Sequence, residues 1–220
     1  MAGEVVAQQL FGGEPMAEAA VVPVRKSLIG NPVCVGVGGF AITTTCLGLH
    51  TTGLLPAGAI DIVLILAAFY GGVVQMVAGF FALAKGETFA ASFMTAYGAF
   101  WLTYVALIVW AVPHMGAATG AGVAVYLIMW TLTTFVFTIA TLNTNKLVLF
   151  VFLEFDVTLI LLDIGAVTGN TSVTFVGGIL TIILGLLGWY IVMADMVNEM
   201  SGRTVFWTGA FKNGPLLAKH

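Results

Sequence analysis

From position 32 to position 196 the chain is a series of apolar runs separated by short polar breaks. A helix that crosses a bilayer needs about 20 mostly apolar residues. Six runs reach that length, at residues 32–50, 58–84, 88–112, 120–142, 146–167 and 172–196. The breaks hold turn formers: Gly53 with Pro56, Lys85-Gly86-Glu87, Pro113 with Gly116, Asn143-Thr144-Asn145, and Gly169-Asn170. None is long enough for a folded domain outside the membrane. The pattern predicts an all-α membrane protein with six transmembrane helices over residues 31–197. Polar tails precede and follow it at 1–30 and 198–220.

Charge orients this arrangement. The basic residues are Arg25, Lys26, Lys85, Lys146, Arg203, Lys212 and Lys219. With six crossings and the first tail in the cytoplasm, all seven fall on the cytoplasmic side, as the positive-inside tendency requires. A five- or seven-helix count would send some of them outside. Both termini are therefore expected in the cytoplasm of a multi-pass cell-membrane protein. The first 25 residues mix Glu4, Glu14, Glu18 and two prolines, and read as a tail rather than a signal sequence.

Composition narrows the function. The chain is 60% hydrophobic and 8% charged, against about 25% charged residues in soluble domains. No basic run exists to neutralise phosphates, which excludes nucleic acid as a partner. Cys34 and Cys46 lie on one predicted helix about 18 Å apart, too far for a disulfide with each other. Two cysteines are also too few for structural zinc. His50 and His114 stand near helix ends and do not make the buried pair that a haem needs. No metal or cofactor is expected. No nucleophile–base pair is evident, so the chain does not read as an enzyme.

The first apolar run is unusual. Asn31-Pro32 is a helix start, with a capping side chain and a proline where no N–H is needed. Gly36, Gly38 and Gly39 follow, then Phe40, then Thr43, Thr44 and Thr45. Two uses fit this order. The glycines admit a neighbouring backbone and the hydroxyls bond back to their own helix, or the run lines a passage for a solute.

Three acids lie inside the fifth run. Counting from Lys146, Glu154 is about 12 Å and Asp156 about 15 Å into a core about 30 Å thick. Asp156 and Asp163, seven apart, share a helical face that Glu154 does not. A carboxyl at this depth either passes a proton or bonds a neighbouring helix. Glu154 and Asp156 are the candidates for a proton or polar relay. The same counting sets Phe40, Tyr97 and Phe155 about 12–14 Å from the inner boundary, with Tyr70 near that level. Rings at one depth make an apolar constriction that excludes water, and a chain with sixteen phenylalanines also sets some level by chance. Gln75, on the helix of Tyr70, lies nearer the cytoplasm.

These residues resemble the acetate uptake transporter, or succinate–acetate permease, family. The resemblance rests on Asn31-Pro32, Gly36, Gly39-Phe40, the threonines and Leu49-His50. It continues through Phe69-Tyr70-Gly71-Gly72 with Gln75 and Ala78-Gly79, and through Thr88-Phe89 and the stretch 97–103. Asn198-Glu199 and Gly202-Arg203-Thr204 complete it. It implies a pore through each protomer of a homo-hexamer, uptake of acetate and succinate by proton-coupled or channel-like passage, and a constriction of Phe40, Tyr97 and the residue at 155. The chain departs from the family pattern at Cys34, Ala82, Glu87, Phe155 and Phe206-Trp207. With no lysine or arginine inside any run beyond its first residue, a small carboxylate is expected to use Asn31, Thr43, Thr44, Tyr70 and Gln75. The alternative function, a non-transporting membrane sensor or assembly subunit, would be expected to carry a larger soluble output domain than these tails provide.

Overall fold

The computed structural model describes residues 28–211, which are helical throughout the membrane region and contain no strand. Helix α1 is Pro32–Thr51. A short 3-10 turn, Ala57–Ala59, leads into α2, Ile60–Leu66; a π-helical stretch, Ala67–Val74, then joins it to α3, Gln75–Ala84. Helix α4, Thr88–Ala106, runs through a second π stretch, Leu107–Ala111, into the short α5, Val112–Met115. Helices α6, Thr119–Thr141, α7, Lys146–Thr168, and α8, Thr171–Ser201, follow. The helix ends agree with the sequence reading to within a few residues, except that α8 runs on through Ser201. The two π stretches are unforeseen. Arg25, Lys26, Lys212 and Lys219, and most of both tails, lie outside the described residues.

The boundaries have local causes. Asn31 Oδ1 accepts from Val33 N at 3.0 Å, and Asn145 Oδ1 from Val148 N at 3.0 Å. Asn170 Oδ1 accepts from Ser172 N and Val173 N. Each Asn thus satisfies first-turn donors that would otherwise lack a partner. Helices α7 and α8 end at Gly169 and Gly202, whose φ of 67° and 62° is left-handed backbone that glycine adopts without strain.

Among the described residues four helical stretches are long and apolar enough to cross a membrane: Pro32–Thr51, Ala57–Ala84, Thr88–Thr141 and Thr171–Ser201. The third turns back at its middle, since Tyr97 bonds Thr134 and Thr103 meets Tyr126. Helix α7, 23 residues long, carries Glu154, Asp156 and Asp163. Phe69, Phe80, Leu132, Phe135, Phe150 and Leu186 are exposed on the flanks, where lipid takes the place of water. The chain is a multi-pass membrane protein.

Small residues set the packing. A Cβ on Gly36 would strike Met94, and one on Gly39 would strike the Tyr70 carbonyl oxygen. Gly48 and Gly185 press α1 and α8 together. Of the two uses the first run allowed, its glycines serve the approach of helices. Thr43 and Thr45 hydroxyls bond back to Gly39 O at 2.9 Å and Ala41 O at 2.8 Å. Thr44 does not.

Candidate functional site

Helices α1, α4 and α7 each contribute one ring to a closed triangle. Phe40 and Tyr97 centroids are 5.9 Å apart, Phe40 and Phe155 5.5 Å, and Tyr97 and Phe155 5.2 Å. Aromatic pairs at these distances attract, so the rings rest against each other. Tyr97 is the anchored member. It is buried, and its Oη donates to Thr134 Oγ1 at 2.9 Å, which in turn donates to Trp130 O at 2.9 Å. Phe155 is half-buried and rests on Phe40, Tyr97 and Phe152.

The triangle is the shared wall of two cavities. The lower one, about 220 Å³, lies toward the start of α7 and is lined by Val37, Phe93, Val148, Phe152, Ile191 and Asp195. The upper one, about 60 Å³, is lined by Thr44, Leu47, Trp101, Trp130, Thr158 and Leu184. Phe40, Tyr97 and Phe155 line both. A solute moving from one to the other has to part these rings.

Hydroxyls and indole N–H groups line the upper cavity, and few of them are buried without a partner. Thr44 Oγ1 and Trp101 Nε1 are buried there without a hydrogen-bond partner. A buried polar group left without a partner costs about 1–3 kcal/mol, and in the wall of this cavity only these two bear that cost among the described residues. Trp101 was not foreseen. Its signal was available: it lies four residues after Tyr97, on the same face of α4.

The other expected contacts lie elsewhere. Asn31 caps α1 and lines a flank groove with Val73 and Phe81 rather than either cavity. Tyr70 reaches the expected depth but packs behind α1, its hydroxyl against Gly38. Gln75 is fully buried, with neither amide atom bonded, and it too lines neither cavity.

The acids sit between helices. Asp156 Oδ2 accepts from Thr138 Oγ1 at 2.7 Å, and Asp163 Oδ2 from Thr131 Oγ1 at 2.7 Å, pairing α7 with α6 along one face. Glu154 points away and accepts from Thr158 of its own helix at 2.9 Å. Thr138 has one hydroxyl hydrogen and two acceptors in reach, Asp156 and Thr134 O at 3.0 Å. With Asp156 ionised, Thr138 donates to it. With Asp156 protonated, the carboxyl donates to Thr138, which turns its hydrogen to Thr134 O. Both states fit without moving a heavy atom. Thr138→Val should therefore lower stability by about 1 kcal/mol, the usual size of such a bond between membrane helices, read from thermal unfolding in detergent.

The residues after α8 fold back over the lower cavity. Asn198 Oδ1 accepts from Val205 N at 2.7 Å and Phe206 N at 2.9 Å, and its Nδ2 donates to Phe206 O. Tyr190 Oη donates to Trp207 O at 2.9 Å. Lys146 N and Leu147 N then donate to Gly209 O and Thr208 O, and Thr208 lines the cavity.

Known proteins are similar to this chain in sequence and in fold. The chain is 36% identical over 185 residues to the succinate-acetate/proton symporter SatP of Escherichia coli (strain K12), covering 82% of this chain and 96% of that one. It is 31% identical over 199 residues to the ammonia transport outward protein 2 of Saccharomyces cerevisiae, covering 88% and 70%. The fold matches the solved structure of the bacterial acetate channel SatP with a TM-score of 0.77 and 35% identity, over 82% of this chain and 99% of that one. The model of the GPR1/FUN34/yaaH family matches residues 11–209. With most of its length matched in sequence and in fold, the chain belongs to the GPR1/FUN34/yaaH family.

Proposed function

We propose that this protein carries acetate and similar small monocarboxylates, and succinate, across the cell membrane through one pore per protomer. The observation that carries this reading is the closed triangle of Phe40, Tyr97 and Phe155 between two cavities. Its relatives' names, a succinate-acetate/proton symporter and an acetate channel, support the substrate class. The protomer crosses six times over residues 31–197, and both tails, 1–30 and 198–220, are cytoplasmic. The lower cavity then faces the cytoplasm. Protomers assemble as a homo-hexamer, each with its own pore.

Phe40, Tyr97 and Phe155 form the constriction. A carboxylate leaving it on the outer side meets the Thr44 hydroxyl first. Tyr70 packs against Gly38 and Gly39 of α1 behind the ring, and Asn31 fixes the start of that helix. Asp156, bonded to Thr138 in either protonation state, is the acid best placed to hold a proton, with Glu154 the second. An apolar ring costs a bare anion its hydration, so the neutral acid, or an anion moving with a proton, crosses more easily.

Uptake of labelled acetate into proteoliposomes should rise when an inward proton gradient is imposed. Equal rates with and without the gradient would leave channel-like passage and remove the coupling.

A further inference from the structure

The lower cavity holds one charged group. Asp195 lines it, in line with Gly188 and Ile191 on the same face of α8, and it is half-buried. No other carboxylate, and no lysine, arginine or histidine, lines either cavity among the described residues. Asp195 makes no ion pair among them. The titratable groups near it are Cys34 of α1 and Glu199, one turn further along α8. Tyr97, at the far end of the cavity, is the other titratable lining residue.

The cavity also lacks the usual attraction for an anion. Helix α7 points its positive end at this mouth, yet its first four N–H groups are taken. Lys146 N and Leu147 N bond the carbonyls of Gly209 and Thr208, and Val148 N and Leu149 N bond Asn145. A carboxylate that enters here meets one charged lining group, Asp195; Lys146, exposed at the start of α7, does not line the cavity. Two carboxylates at close range cannot both stay ionised, and they settle by sharing one proton.

We propose that Asp195 is the proton-exchanging residue of the cytoplasmic mouth. This rests on the transport reading above. A carboxylic acid arriving from the ring gives its proton to the Asp195 carboxylate. The solute becomes the anion and Asp195 the neutral acid. Asp195 then loses the proton to cytoplasmic water and, negative again, drives the anion out of the mouth. Run in reverse, the step neutralises an anion before it meets the ring.

The test compares labelled acetate with labelled acetamide, its neutral near-isostere, in proteoliposomes at mildly acidic and at neutral pH. In the wild type the acetate-to-acetamide ratio should fall as the pH rises. Asp195→Asn should lower that ratio by about tenfold, the equivalent of one pKa unit of interaction, because acetate loses its proton acceptor at the mouth and acetamide needs none. Asp195→Glu should keep the wild-type slope, and Asp61→Asn, at the exposed start of α2, should leave it untouched. The ratio corrects for the amount of inserted protein and for pore width, so a merely structural role of Asp195 would not move it. The same ratio in Asp195→Asn and wild type at both pH values would overturn the proposal. A wild type that carries no more acetate than empty liposomes would overturn the transport reading, and this proposal with it.

Discussion

Replacing Phe155 with alanine should admit acids that the wild type rejects. Uptake of propionate and butyrate relative to acetate should rise by about tenfold or more, the scale on which apolar walls discriminate single methylenes. The reason is position. Phe155 touches both other rings of the triangle, at 5.2 and 5.5 Å, and borders both cavities. Removing its ring merges them. Tyr97 would make a poorer test, because its loss also removes the hydrogen bond to Thr134 and unpacks Phe93, Phe137 and Phe152. Phe155 is half-buried and makes no hydrogen bond through its side chain, so the variant should fold. Competition by acids of increasing length against labelled acetate reads the effect. An unchanged range would make Phe155 a packing residue and move the selective step elsewhere.

The second large effect concerns the frame that holds Phe40. Gly185→Leu should abolish the folded protein, and Gly185→Ala should lower stability by about 3 kcal/mol, the upper range for an overpacked site. A Cβ at Gly185 would strike the Thr45 hydroxyl, and it would lie 2.7 Å from Thr45 N and 2.9 Å from Ala41 O. The hydroxyl can turn away, but the two backbone atoms belong to α1 and can move only with the helix. Phe40 is next to Ala41, so any shift of α1 displaces the ring as well. Gly120→Ala serves as the contrast. Nothing lies within 4 Å of that site in α6, and alanine favours helix by about 1 kcal/mol over glycine. Thermal unfolding in detergent should lower the midpoint for Gly185→Ala and leave or raise it for Gly120→Ala. Equal midpoints would mean that α1 and α8 have slack the structure does not display.

What could be read beforehand follows from what spacing encodes. Asn31, Asn145 and Asn170, with Gly169, mark helix ends by chemistry that acts within one turn, and it is local enough to read from sequence. Depth is also local, since a helix rises a fixed amount per residue, so Phe40, Tyr97 and Phe155 were found by counting. Azimuth is not. Tyr70 has the right height, but its helix stands behind α1, and the π stretch at Ala67–Val74 departs from the period on which counting relies. Asp195 was missed for a related reason. An acid near a helix end reads as a headgroup contact until α8 is seen to border a cavity through Gly188 and Ile191. Pairing the acids of α7 needed their partners on α6, which no pattern within α7 announces.

The packing of α1 on α8 also bears on how the protein is made. Thr45 and Gly185 touch across about 140 positions of chain. A ribosome adding about 5–20 residues per second needs roughly 7–30 s to cover that distance. Through that interval α1 sits in the bilayer without its main neighbour. Its hydroxyls suit it to wait, since Thr43 and Thr45 bond within their own helix and need no partner from elsewhere. Thr44 alone is left to find one, at the place where the finished protein opens its upper cavity.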